Sequence, residues 1–180
     1  MSRLTYTALA GSVLFTMAFP AFAGNIYCTI VGVKQGKFQS DASLRSAPAG
    51  IPVYALTEDI KVPFDASSGQ GSGRAQNSPV TIVKELDASS PQFFEAAVTN
   101  ERLTSVACTF YRTTGGEPMR AYYKITLTNA SVVEVKDSGD GVNGSAPGDE
   151  LERISFTYQK IEVQDLGSNT IVIDDWAIPG

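Results

Sequence analysis

No histidine occurs anywhere in the 180 residues, and only two cysteines do. The first absence removes Ser-His-Asp and Cys-His nucleophile activation and the commonest zinc ligand sets. The second puts an all-thiolate zinc site out of reach. Basic residues are scarce as well: 14 Lys and Arg stand against 19 Asp and Glu, a net charge of −5. A mildly acidic chain has nothing to offer a phosphate backbone, so nucleic acid is not an expected partner. Carboxylates remain, and acid/base chemistry on carboxylates alone is real. In "DDW", Asp174 and Asp175 look like a pair beside an aromatic, Trp176. Consecutive strand residues point to opposite faces, however, so the two acids would not converge on one substrate. No enzyme, cofactor or metal centre is expected.

Long apolar runs are missing too. The longest, Ala8 to Phe19, is about twelve residues where a hydrocarbon core needs roughly twenty. It follows a single positive charge, Arg3, and precedes Pro20 and the small-residue pattern Ala21-Phe22-Ala23. That order reads as a secretory signal over residues 1–23, cleaved between Ala23 and Gly24. Asn25-Ile26-Tyr27 is too bulky and polar for Cys28 to be a lipidation site. The mature chain, 24–180, is then one domain without a membrane span, secreted or periplasmic, and long enough to bury a sizeable core.

What is present reads mostly as strands. "NIYCTIVGV" puts Ile26, Cys28 and Ile30 on one face. "IPVYAL" and "PVTIVKEL" are short β-branched runs between turn signals. "LTSVACTFYR" alternates again with Val106, Cys108 and Phe110 on one side, "AYYKITLTNASVVEV" and "ERISFTYQKIEVQ" are longer, and "NTIVIDDW" closes the series. One segment breaks the pattern. In "SSPQFFEAAVTN", Ser90 is placed to accept from free amides at a helix start, with Pro91 at the first helical position. Phe93 with Ala97, and Phe94 with Val98, form an apolar stripe on a helix of about ten residues that covers the sheet. "ERISFTYQKIEVQ" changes phase: Ile154, Phe156 and Tyr158 share one face, Ile161 and Val163 the other. Such a strand either bulges within one core or meets a neighbouring subunit through Ile161 and Val163.

Two Gly-rich stretches, residues 65–78 and 137–150, read as solvated loops. Neither continues into the Gly-Lys-Ser/Thr of a phosphate loop. Asp137, Asp140 and Asn143 are spaced by three, unlike the alternate ligands of an EF-hand, so no calcium site is expected. The two cysteines, Cys28 and Cys108, each sit on the apolar face of a strand. Export and an even count favour a disulfide between them over two buried thiols. Closing so long a loop would stabilise by about 4 kcal/mol in the chain-entropy model.

Three stretches, "KELDASSPQFFEAA", "TTGGEPMRAYYKITLTNASVVEV" and "DELERISFTYQKIEV", carry a resemblance. The chain resembles the haemolysin-coregulated protein (Hcp) family, the inner-tube subunits of type VI secretion systems. The family's Lys-x-x-Asp-x-x-Ser-Pro-like run is matched by Lys84, Asp87, Ser90 and Pro91, and its turn by Gly115-Gly116-Glu117-Pro118. The "KITLT"-like strand is matched at Lys124 to Thr128, and a Leu-x-Glu-x-hydrophobic-x-Phe block only loosely by Leu151-Glu152-Arg153-Ile154-Ser155-Phe156. The resemblance spans roughly residues 25 to 165. It implies a mainly β fold, a compact two-sheet β-barrel with one short helix packed on it. It also implies homo-hexameric rings that stack into a tube, with sheath, spike and small effector proteins as partners. The signal and the cysteine pair depart from the family pattern. Pro52 and Pro63, confined to edges because proline cannot donate to a ladder, bear on the region used for stacking, Thr57 to Phe64. An exported, stand-alone binding or cell-surface protein of the same fold is the alternative.

Overall fold

The computed structural model describes residues 26–40, 48–113, 118–139 and 150–177. The signal segment, the Ala23–Gly24 bond, Gly115 to Glu117, Asp140 and Asn143 lie outside these residues. Among the described residues, twelve strands and one helix follow in order. They are β1 (Ile26–Gly32), β2 (Gly36–Lys37), β3 (Ile51–Val53), β4 (Ala55–Thr57), β5 (Ile60–Lys61), β6 (Gln76–Asn77), β7 (Val80–Glu85), α1 (Ser90–Val98), β8 (Arg102–Arg112), β9 (Arg120–Ser138), β10 (Leu151–Thr157), β11 (Lys160–Asp165) and β12 (Thr170–Asp175). Ten strands share one antiparallel sheet, and β5 with β6 forms a second.

β9 is the spine. Its first part pairs with β8 on one edge and with β11 on the other, and its second part pairs with β10. Between them Asn129 takes a left-handed φ of 51°, a conformation its short polar side chain tolerates. The buried face changes there from Ile125 and Leu127 to Ala130 and Val132, a shift from odd to even positions. The facing run breaks at the same level, where Tyr158 and Gln159 separate β10 from β11. Gln159 donates its amide to the Thr128 carbonyl and accepts from the Asn129 side chain. Both strands therefore switch faces together, and the sheet folds over into two layers with the core between them.

That fold-over accounts for the phase change in the sequence. Of the two residues read as a possible subunit contact, Ile161 is 3% exposed and paired with Leu127, and Val163 is half-buried against the same core. β3 continues β1's edge while β4 lies on β7, with Tyr54 between them donating its amide to Val83. Pro52 sits in β3, which pairs only with β1, and Pro63 lies outside the named strands, as the missing amide demands.

The helix differs from its sequence reading in detail. Ser89, not Ser90, occupies the N-cap, and its hydroxyl donates to Asp87 instead of capping. Phe93 and Ala96 are fully buried, and Phe93 meets Phe38 and Phe156 edge-on at 5.1 and 6.1 Å. Phe94 and Val98 are exposed, so the apolar stripe reaches beyond the core. The segment 65–78 is also more ordered than its composition suggests. β5 and β6 pair, Ser72 donates to the Pro63 carbonyl, and Phe64 bridges Gly71, giving an extended hairpin arm. At its tip Asp65 accepts from the amides of Ser67 and Ser68, and Gly69 takes a φ of +69°.

Candidate functional site

Two of the four resemblance motifs meet at one point. Lys84, on β7, is fully buried, and its ammonium lies 2.9 Å from Glu152 of β10 and 2.8 Å from Asp87. It also donates to the Glu85 carbonyl at 2.7 Å and to the Ser90 hydroxyl at 3.1 Å. Ser90 accepts the Asp87 amide and donates to Glu152 at 2.8 Å. The ammonium lies 5.7 Å from the centre of the Phe93 ring. A buried ammonium is tolerated only when its donors are satisfied and its charge is met, and here three donors find three side-chain oxygens and one carbonyl. The network fixes the start of α1 against β7 and β10. It thereby decides which helical face points outward.

A second buried acid holds the β1–β2 turn. Glu101 accepts from the amides of Lys34 and Gln35 at 2.5 and 2.9 Å, and from the Gln35 side chain at 2.9 Å. Burial pushes its carboxyl upward, but the hydrogen bonds from Gln35 and Lys34 outweigh that and hold it below the usual glutamate value. Gly32 is required here, since a Cβ would stand 2.5 Å from the Glu101 carboxylate.

Outside the core, apolar side chains gather on three features. On α1, Phe94 and Val98 are exposed. On the arm, Ile60, Val62 and Phe64 are exposed. On β12, the consecutive Ile171, Val172 and Ile173 are all exposed, and β12 pairs with β11 alone. The arm is tied to β12 by a 2.8 Å bond from the Asn77 amide to Asp174. An open hollow of about 590 Å³ lies between them, lined by Arg74, Gln76, Asn77, Asp174 and Trp176. Tyr158 packs on Trp176 at 5.8 Å. Its hydroxyl is pushed up to about 12 by burial, then by the charges of Glu58 and Asp174. Sequence reasoning missed the arm and the outward helical face, although the alternation of Ile60, Val62 and Phe64 carries the signal for the arm.

Asp174 serves as the acceptor for Asn77, while Asp175 accepts the Ala177 amide. Among the described residues, no cluster of three or more potential metal ligands forms. No helix among them is long and apolar enough to cross a membrane. Cys28 and Cys108 are direct partners across β1 and β8, with Cα atoms 4.0 Å apart, and are joined by a disulfide.

The comparisons with known proteins agree with one another. Residues 27–164 match the family model described as "Type VI secretion system effector, Hcp". The "Major exported protein" of Pseudomonas aeruginosa is 33% identical over 174 residues, covering 91% of this chain and 98% of that protein. The secreted protein Hcp3 from Pseudomonas aeruginosa matches with a TM-score of 0.65 at 29% identity, over 84% of this chain and 99% of its own. A crystal structure of an Hcp protein shares the fold with a TM-score of 0.74 at 24% identity, over 84% of this chain and 98% of its own. Sequence motifs that converge on one buried network, a matching fold and these relatives lead to one assignment: the chain belongs to the Hcp family of the type VI secretion system.

Proposed function

We propose that this protein is a structural, ring-forming subunit of the kind that builds a type VI secretion tube, and that it works by self-assembly, not by catalysis. The observation that carries the reading is β12, an outermost strand whose Ile171, Val172 and Ile173 are exposed on both faces. A monomer would keep that surface wet, and exposed apolar patches of this kind mark interaction sites. A hexameric ring closes through heterologous contacts, which need two different patches on one chain. β12 is one, and the outer face of α1, with Phe94 and Val98, supplies a second. The arm, with Ile60, Val62 and Phe64 exposed near its base and middle, is the element to bridge stacked rings. Sheath, spike and small effector proteins are the partners this role implies.

Closure of the two layers into a barrel belongs to the same reading. It draws support from the run of pairings β9–β8–β1–β3 and β4–β7–β10–β9, in which Tyr54 alone separates β3 from β4. Residues 24–180 act as one domain, delivered to a secreted or periplasmic location after cleavage between Ala23 and Gly24. The test is size exclusion with light scattering and negative-stain imaging of residues 24–180. Six-fold rings are the expected result, and a strict monomer at high concentration overturns the proposal. One observation favours a second reading, an exported stand-alone binding protein: the signal-like segment at residues 1–23. Rings that never co-purify with sheath or spike proteins from the native cell would favour it.

A further inference from the structure

We propose that the Cys28–Cys108 bond can be set only before the chain folds, so that its redox state records the compartment in which folding took place. This goes beyond the ring reading and does not depend on it. Cys28 is 0% and Cys108 2% exposed. On the edge away from β8 Cys28 is covered by β3 through Ile51, and Gly50 approaches so closely that a Cβ would stand 2.9 Å from the Cys28 carbonyl. On the other side Cys108 is backed by Ile125 of β9. Both sulfurs belong to the same apolar cluster as Ile30, Ile51 and Val106.

Disulfide exchange needs a third sulfur in contact with the attacked one. One cysteine thiolate attacks a disulfide oxidant, displacing a thiolate and forming a mixed disulfide with the protein. The second cysteine, as its thiolate, attacks the protein sulfur of that mixed disulfide and releases the oxidant's other thiolate. The protein loses two electrons and two protons, and the oxidant, a protein or glutathione disulfide, is reduced to two thiols. Neither attack has room inside the folded core. The oxidised and dithiol forms therefore do not interconvert without opening β1 from β8. A chain translocated unfolded behind the signal meets the oxidant before it folds and acquires the bond. A chain folded in a reducing cytoplasm keeps two buried thiols, even if the folded protein later reaches an oxidising medium.

The test compares protein exported to the periplasm with residues 24–180 produced in a reducing cytoplasm. Free thiols are counted by alkylation and mass spectrometry with and without urea. The exported form should carry no free thiol, and dithiothreitol should reduce it at least about a hundredfold more slowly in the native state than in denaturing urea. The cytoplasmic form should hold two thiols that resist both iodoacetamide and oxidised glutathione until urea is added. A cytoplasmic chain that cannot fold while reduced would overturn the proposal, since no folded dithiol form would then exist to record a reducing compartment. Native-state oxidation by glutathione, or native-state reduction by dithiothreitol, at the rate seen in urea would overturn the proposal.

Discussion

Lys84 shows what a motif means once its partners are in place. In the sequence, Lys84, Asp87 and Ser90 form a spaced run and Glu152 stands far away in another block. In the fold they are one hydrogen-bonded cluster, and all but Asp87 and Ser90 are essentially out of water. Removing one member strands the others. Glu152→Gln or Lys84→Met should lower stability by about 3–5 kcal/mol, read from urea unfolding. The double replacement Lys84→Met with Glu152→Leu should recover part of that loss, because the two fully buried charges are removed together and only the half-buried Asp87 then lacks its cation. Glu101 offers a pH test. Its folded-state pKa lies below the ordinary 4.5, so its contribution is present above that value and is lost as pH falls through the lowered one. Glu101→Gln should cost about 1–2 kcal/mol at neutral pH and flatten the acid limb of the stability profile. An unchanged acid limb would remove Glu101 from the account.

Elements show where local reading succeeded and where it stopped. Strands β1 and β8 were legible from alternation, β7, β9 and β12 as apolar, β-branched runs, and α1 from Pro91 and the phenylalanine spacing. The outward turn of Phe94 and Val98 was not, because helical spacing alone cannot say how wide a stripe the core will accept; the Lys84 network sets that angle. Phe94→Glu with Val98→Lys should leave stability within about 0.5 kcal/mol of the parent and abolish rings in negative stain. The phase change at Tyr158 was visible, but its partner at Asn129 hides in a strand whose odd and even faces both carry apolar residues. Only their juxtaposition across the ladder explains either. Ile161→Ala is accordingly expected to behave as a core truncation, costing about 2–5 kcal/mol, with unfolding midpoint as the measure. A variant that kept full stability but lost rings would restore Ile161 to an interface.

For the whole molecule, exposed apolar side chains on α1, the arm and β12 are distinct from the buried side chains of the Lys84 and Glu101 networks. That separation makes assembly and folding separable by mutation. Val172→Asp should leave the monomer as stable as the parent within about 0.5 kcal/mol while shifting it out of the ring fraction on size exclusion. Phe64→Ser, at the most exposed of the large apolar residues, should spare single rings and weaken their stacking.

The mainly β class, helix α1, the absence of histidine chemistry and the resemblance that the family match bears out were all readable in the sequence alone. These follow from short-range signals: alternation, turn residues, proline placement and composition. The tertiary structure decided what depends on pairs distant in the chain. It joined Lys84 to Glu152, folded the sheet over at Asn129 and Tyr158, buried Ile161, and left β12 bare on both faces. It also sealed Cys28 and Cys108 behind β3 and β9. Burial and charge compensation are properties of what surrounds a residue, and the surroundings are assembled only when the strands pair.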